Sequence, residues 1–391
     1  MVTYTQRPLN RPGTLFQFFN PVTPQTRGMN LPCEPSNGSK RNGTCITSEQ
    51  CRTKGGQEAG GCGTNNAGIC CLERHACGTA GAITSNSSAF ANPENPDTLN
   101  DSQACIVTVN RLSNNNNICQ IRLDFEEFEL APPRNGRCDT DQFAILGVPG
   151  IPVLCGSNGG QHIYIDFPTG VNTISLQVVT TGFDYQRKWR IRVSQIECNS
   201  PSIAPSGCFQ YYTGTSGSFR SFNYDANFNS GYQRELNYGT CMRRESGFCG
   251  IRYTTAGAFQ VGVADKDIPA TATRPYGHSA ANNNVREEEE EDLVYDNEDG
   301  EEDAHRVRRR AAPEVCPSDF LLIPNAFEEG KPIANNKFCG TKFNPEQGAN
   351  AEAVVSSRIM PFVTYFFSDT NTANKKGRGF YINWQQTPCT S

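Results

Sequence analysis

The clearest pattern along the chain is a strict alternation of apolar and polar positions in short runs. Ile121-Arg122-Leu123-Asp124-Phe125 alternates, as do Ile163-Tyr164-Ile165-Asp166-Phe167, Ile174-Ser175-Leu176-Gln177-Val178 and Trp189-Arg190-Ile191-Arg192-Val193. A period of two places one set of side chains on each face of a strand, so each run predicts a half-buried strand. The runs are separated by Gly, Pro and Asn clusters, which are turn chemistry. Helix formers are sparse in most segments. Short alternating strands broken by turns predict an all-β chain built as β-sandwiches.

Eighteen cysteines refine that picture. They fall into three consecutive sets of six: Cys33, Cys45, Cys51, Cys62, Cys70 and Cys71; Cys77, Cys105, Cys119, Cys138, Cys155 and Cys198; Cys208, Cys241, Cys249, Cys316, Cys339 and Cys389. Every set is even, which predicts disulfides and an oxidising compartment, since cytosolic reductants would keep such thiols free. Zinc is the competing use, but the chain has four histidines and no C-x-x-C pair. Nine bridges at about 2–4 kcal/mol each would outweigh any single core contact.

The second and third sets repeat. Cys119-Gln120-Ile121-Arg122 aligns with Cys249-Gly250-Ile251-Arg252, and Cys138-x-x-Asp141-x-Phe143 with Cys316-x-x-Asp319-Phe320. Leu154-Cys155-Gly156 aligns with Phe338-Cys339-Gly340. Each set closes on a cysteine after an aromatic-bearing strand, Trp189 to Val193 before Cys198 and Phe380 to Trp384 before Cys389. The repeat predicts two copies of one module, the second carrying an insertion of about 48 residues between its third and fourth cysteines.

At these residues the chain resembles CUB domains. The opening Cys77-Gly78, the next cysteine at Cys105, the strand Leu123 to Leu130, the C-x-x-D of Cys138 to Asp141 and the later Cys155-Gly156 carry the likeness. It covers residues 77–198 well and 208–389 less well. An extra cysteine pair in each module and a cysteine-rich segment upstream are similar to the CUB proteins of arthropods. The resemblance implies the pairs Cys77–Cys105, Cys119–Cys198, Cys138–Cys155, Cys208–Cys241, Cys249–Cys389 and Cys316–Cys339; six cysteines alone permit fifteen pairings.

The first set is spaced C-x11-C-x5-C-x10-C-x7-C-C. Adjacent Cys70 and Cys71 cannot readily bridge each other, so each reaches elsewhere. The pattern resembles a clip domain, the small knot found before arthropod protease domains, and that likeness implies Cys33–Cys70, Cys45–Cys62 and Cys51–Cys71. An unrelated three-disulfide knot is the alternative. The expected organisation is therefore a flexible segment over 1–30, a knot over 31–72, one CUB-like domain over 77–198, and a second over 208–389 interrupted by an acidic insertion at 263–315.

Catalytic chemistry finds no motif. There is no G-D-S-G-G, G-x-S-x-G or H-E-x-x-H. His75 lies between cysteines, His278 and His305 lie in the insertion, and His162 reads as a surface or edge-strand histidine. The protein is expected to be non-enzymatic and to need no cofactor.

Calcium is the metal the resemblance raises. One subset of CUB domains binds it through a Glu after the F-x-L strand, the Asp of C-x-x-D and an Asp in an F-x-S-D loop, because calcium collects six or more oxygens. The first module keeps Asp141 but has Ala131 and Thr180 at the other positions. The second keeps Asp319 and Asp369 but has Gly262 in place of the Glu. The expectation is no metal in the first module, with Asp319 and Asp369 as weak candidates in the second.

Net charge is −5, yet residues 286–310 alone hold twelve acids and five arginines, leaving the remainder at +2. Such a block cannot bury enough apolar surface to fold. It ends in Arg306-Val307-Arg308-Arg309-Arg310, which reads either as a charge-balanced loop or as a convertase site cut after Arg310. Asn37, Asn42, Asn86 and Asn100 open N-x-S/T sequons and are candidate glycan sites. No apolar run of 18 residues predicts a membrane span, and scattered basic residues predict no nucleic-acid partner. Residues Met1 to Asn30 hold no apolar leader core; secretion is expected to use a signal upstream of Met1, with leaderless export as the alternative.

Two functions remain. The first is a secreted, non-catalytic adaptor that binds an extracellular protein or glycan through loops at one end of each sandwich. The second is a non-catalytic cofactor of an extracellular serine-protease cascade, with a protease as partner.

Overall fold

A computed structural model describes residues 32–34, 36, 43–53, 56–72, 74–77, 82–84, 88–112, 117–183, 185–224, 231–263, 316–328, 330–346, 348–370 and 377–389. The expected flexible segment over 1–30 lies outside them, as does all but Val263 of the expected insertion. The chain is all-β with a disulfide-rich N-terminal region. It divides into two compact units, the first up to Arg74 and the second holding nearly everything from His75 onward.

In the first unit, β1 (Pro32–Cys33), β2 (Gly43–Ile46), β3 (Gln57–Cys62) and β4 (Gly68–Leu72) form a sheet in the order β1-β2-β4-β3. One short helix, α1 (Ser48–Thr53), interrupts it. Thr47 caps that helix reciprocally: Gln50 N–H donates to Thr47 Oγ1 at 3.2 Å and Thr47 N–H to Gln50 Oε1 at 3.1 Å. Cys70 and Cys71 are neighbours on β4, so their side chains leave opposite faces. Cys70 bonds Cys33, Cys71 bonds Cys51 from α1, and Cys45 bonds Cys62.

The division falls within β5 (Arg74–His75); the second unit takes in most of β6 (Ser88–Ala91) and continues as two sandwiches. In the first, β8 (Ile118–Glu129), β10 (His162–Asp166) and β12 (Lys188–Glu197) join β6 in the order β10-β8-β12-β6. Facing them is the sheet β7-β11-β9, of β7 (Gln103–Asn110), β9 (Gln142–Leu146) and β11 (Thr173–Thr180). Register pairs Val193 with Leu123 and Ile191 with Phe125 on one sheet, and Val178 with Phe143 on the other. The inward sets meet in the core, where Phe125 and Phe143 pack edge to face at 5.9 Å and Trp189 is fully buried.

The second sandwich packs β13-β15-β22-β17-β20 against β14-β23-β16-β21-β18-β19. These are β13 (Cys208–Tyr212), β14 (Ser216–Arg220), β15 (Asn237–Met242), β16 (Phe248–Thr255), β17 (Phe320–Leu322), β18 (Ala326–Glu328), β19 (Lys331–Pro332), β20 (Lys337–Phe338), β21 (Val355–Ser357), β22 (Phe362–Phe367) and β23 (Tyr381–Pro388). All pairings are antiparallel except β13 with β15. Buried Tyr253, Phe222, Phe362 and Phe366 fill its centre. The six cysteines of each sandwich are joined as Cys77–Cys105, Cys119–Cys198 and Cys138–Cys155, then Cys208–Cys241, Cys249–Cys389 and Cys316–Cys339.

Candidate functional site

Two of the three carboxylates singled out by sequence, Asp141 and Asp319, lie inside polar networks, and the third, Asp369, is half-buried. Asp141 is fully buried. Arg187, which precedes β12, forks onto it with Nε–Oδ2 at 2.8 Å and Nη2–Oδ1 at 3.0 Å. The amides of Ala131 and Thr181 donate to the same carboxylate at 2.7 and 3.2 Å. A guanidinium therefore supplies the positive charge here, and backbone N–H groups take lone pairs that a cation would otherwise use. Thr180, buried at the end of β11, donates its hydroxyl to the Asp101 carbonyl at 2.7 Å.

Asp319 in the second sandwich is also buried. Tyr232 donates its hydroxyl to Asp319 Oδ2 at 2.5 Å, the Gly262 amide donates to that hydroxyl oxygen at 2.9 Å, and the Asp369 amide donates to Asp319 Oδ1 at 2.8 Å. Burial pushes the Tyr232 hydroxyl well above its usual range, and the adjacent Asp319 carboxylate adds to the shift. Among the described residues no group of three or more His, Cys, Asp or Glu is arranged to hold a metal. Nothing in the sequence marked Arg187 or Tyr232, because each meets its carboxylate only through tertiary packing.

The sandwiches meet along an extended polar and aromatic seam. His162 lies on β10, an edge strand, but it is buried rather than at the surface. Its Nε2 sits 2.9 Å from the Tyr211 carbonyl oxygen and 3.3 Å from the Tyr211 amide nitrogen, both on β13. Burial, then the nearby Arg122 charge, lower its pKa to about 4, so the ring is neutral at physiological pH. The rings of Tyr164 and Tyr212 pack on it at 5.6 and 4.8 Å. Farther along, the Asn223 amide donates to Asn158 Oδ1 at 2.7 Å, and Ser157 N–H donates to Asn223 Oδ1 at 2.9 Å. Gln233 reaches the Cys155 amide and the Val153 carbonyl. Gly156 sits at φ 75°, and a Cβ there would lie 2.0 Å from Asn223 Oδ1, so only glycine lets the chains approach this closely.

The remaining feature is an open cleft of about 570 Å³ on the solvent face of β14-β23-β16. Ser216, Ser218, Arg252, Thr254, Asn383 and Gln385 supply its side chains. Register sets them in two rows: Ser216, Gln385 and Arg252 across one line, Ser218, Asn383 and Thr254 across the next. The floor is closed by buried Trp384 packed under Gly217, where a Cβ would come within 2.8 Å of the indole.

Of the other sequence candidates, Asn100 is exposed before β7. Asn37, Asn42, Asn86 and Arg310 lie outside the described residues. No helix among the described residues is long and apolar enough to cross a membrane.

Residues 205–387, which span the second sandwich, match the family model described as the animal CUB domain. No curated protein matches the chain. Similar solved structures include the CUB1-EGF-CUB2 domains of rat MASP-1, at 12% identity and a TM-score of 0.24, covering 80% of this chain and 100% of that one. The corresponding domain of human MASP-1/3 shows 13% identity and a TM-score of 0.23 over 77% and 99% of the two chains. The MASP-1 CUB2 domain bound to Ca2+ shows 18% identity and a TM-score of 0.24 over 29% of this chain and 97% of that one.

Proposed function

We propose that the protein is a secreted, non-catalytic binding protein with two CUB-type modules, at 77–198 and 208–389, behind a clip-like knot at 31–72. The observation that carries this reading is the match of residues 205–387 to the animal CUB domain, a kind of module that generally serves extracellular protein binding. The buried state of Asp141, Asp319 and His162 supports it, because each is held in internal hydrogen bonds rather than turned toward a substrate. Its partner is an extracellular protein or glycan. In the narrower form the protein is of arthropod type, carries glycans at Asn37, Asn42, Asn86 and Asn100, is cut after Arg310, and serves a serine-protease cascade as a cofactor; the three-disulfide knot supports that form.

The test is chemical cross-linking of the tagged full chain in extracellular fluid, followed by mass spectrometry with untagged chain as competitor. The reading expects a competed partner, and a protease among the partners favours the narrower form. Recovery identical to that of a reduced, alkylated control sinks both.

A further inference from the structure

The strand pairs β8–β12 and β16–β23 hold the same place in their sandwiches. Each is tied by a disulfide from near the start of its first strand to just beyond its second, Cys119–Cys198 and Cys249–Cys389. Their outward faces differ. On β8–β12 the charges satisfy one another: Arg122 with Asp124, Arg190 and Arg192 with Glu126, and Lys188 with Glu127. On β16–β23 and its neighbour β14 the polar heads are open. Among the described residues, Ser216, Arg252, Thr254, Asn383 and Gln385 make no side-chain hydrogen bond or ion pair, and Ser218 reaches only the Tyr381 hydroxyl, at 3.5 Å.

We propose that this face of the second sandwich binds a carboxylate-bearing saccharide. The inference rests on the binding-protein reading and names the ligand chemistry of one surface. Adjacent strands lie about 4.8 Å apart, so the two rows form a small grid of amide, hydroxyl and guanidinium groups. Amides and hydroxyls both donate and accept, which suits the vicinal hydroxyls of a sugar ring. A protein partner would want an accessible aromatic or aliphatic anchor at the centre, and the one large apolar ring in the lining, Trp384, is buried as the floor. Arg252 is the one charged side chain in the lining and no carboxylate accompanies it, so the ligand's charge is negative. A planar carboxylate matches the guanidinium fork. Tyr381, next along β23 on the same face, is half-buried and packed on Tyr224 at 5.7 Å, and it supplies an aromatic ring against which a sugar's C–H groups can pack.

The experiment uses the full chain and an immobilised panel of uronate- and sialate-terminated oligosaccharides, each beside its carboxyl-reduced counterpart. At least one acidic oligosaccharide should bind about tenfold or more tightly than its reduced form. Arg252→Gln should bring the acidic form down to the level of the reduced one and leave the reduced one unchanged. Asn383→Ala with Gln385→Ala should weaken both about tenfold. All three positions are exposed, so folding is not at stake, and Arg192→Gln in the first sandwich should leave binding unchanged. Equal affinity for acidic and reduced forms, no binding to any oligosaccharide, or binding untouched by the Arg252 and Asn383/Gln385 changes overturns the proposal. A protein partner recovered by cross-linking from a chain that binds no saccharide would overturn it while leaving the binding-protein reading in place.

Discussion

Arg187 and Asp141 form a two-point ion pair with both side chains out of solvent, at 1% and 0% exposure. The pair ties the turn before β12 to the C-x-x-D loop before β9. Removing one partner strands a buried charge, which costs about 3–5 kcal/mol. Arg187→Ala should therefore lower unfolding stability by that amount in urea. A loss under about 1 kcal/mol would show that the pair is not a structural element. Millimolar calcium should not restore the stability of Arg187→Ala, because backbone amides already occupy the carboxylate.

Tyr232→Phe tests the second sandwich. The hydroxyl joins the Gly262 amide to Asp319, and its loss leaves buried polar groups short of a partner at about 1–3 kcal/mol. The same denaturation experiment reads it; an unchanged midpoint would mean that water replaces the hydroxyl.

His162 makes the seam sensitive to acid. Folded, it stays neutral down to about pH 4; an unfolded histidine takes its proton near 6.5. Between those values the unfolded chain binds the extra proton, so stability is fully present above about 6.5 and falls as pH drops toward 4. The loss is capped at about 3 kcal/mol. His162→Gln should flatten that part of the stability profile. A profile with the same slope in the variant would place the acid sensitivity elsewhere.

β11 was readable because period-2 alternation is a local signal: the apolar set of residues 174–178 is the set that is buried. β10 departs from the expected half-burial, since Tyr164 is buried along with Ile163 and Ile165. The all-β class follows from several such runs. Short strands such as β19 and β20 carry too few residues to show a period. His162 read as an edge-strand or surface position, and the strand is an edge of its sheet, but the Tyr211 backbone closes on its Nε2 and the Tyr212 ring packs against it. The cover comes from 49 residues away, a relation that no local window contains. Asn383 and Gln385 show the same limit. They alternate with buried Ile382 and Trp384 along β23, yet whether neighbouring strands leave them without partners depends on register across three strands.

Gly156→Ala should open the seam near Asn223. The added methyl meets Asn223 Oδ1 and also forces an alanine to hold a φ of 75°, a strain of about 1–2 kcal/mol before any clash. The additional change Asn223→Ala should recover the clash but not the backbone strain. Limited proteolysis and thermal melts would read both; full recovery in the double variant would mean that the backbone carries no strain there.

Cleavage after Arg310 should leave one covalent species on a non-reducing gel, because Cys249–Cys389 spans that bond. Reduction should release two fragments. Fragments that separate without reductant would contradict the bridge, and resistance to a convertase would make the arginine cluster a charged loop only.

The seam of Asn158, Asn223, His162 and Tyr211 works as a fixed caliper. The spacing between the outer faces of the two sandwiches is set when the chain folds and not when a partner arrives. A partner that touches both faces loses its freedom once, so its second contact comes at an effective concentration fixed by geometry alone. A partner whose two contact points are spaced differently gains nothing from the second face. Selectivity can thus reside in the distance between two modest contacts, without either contact being specific by itself.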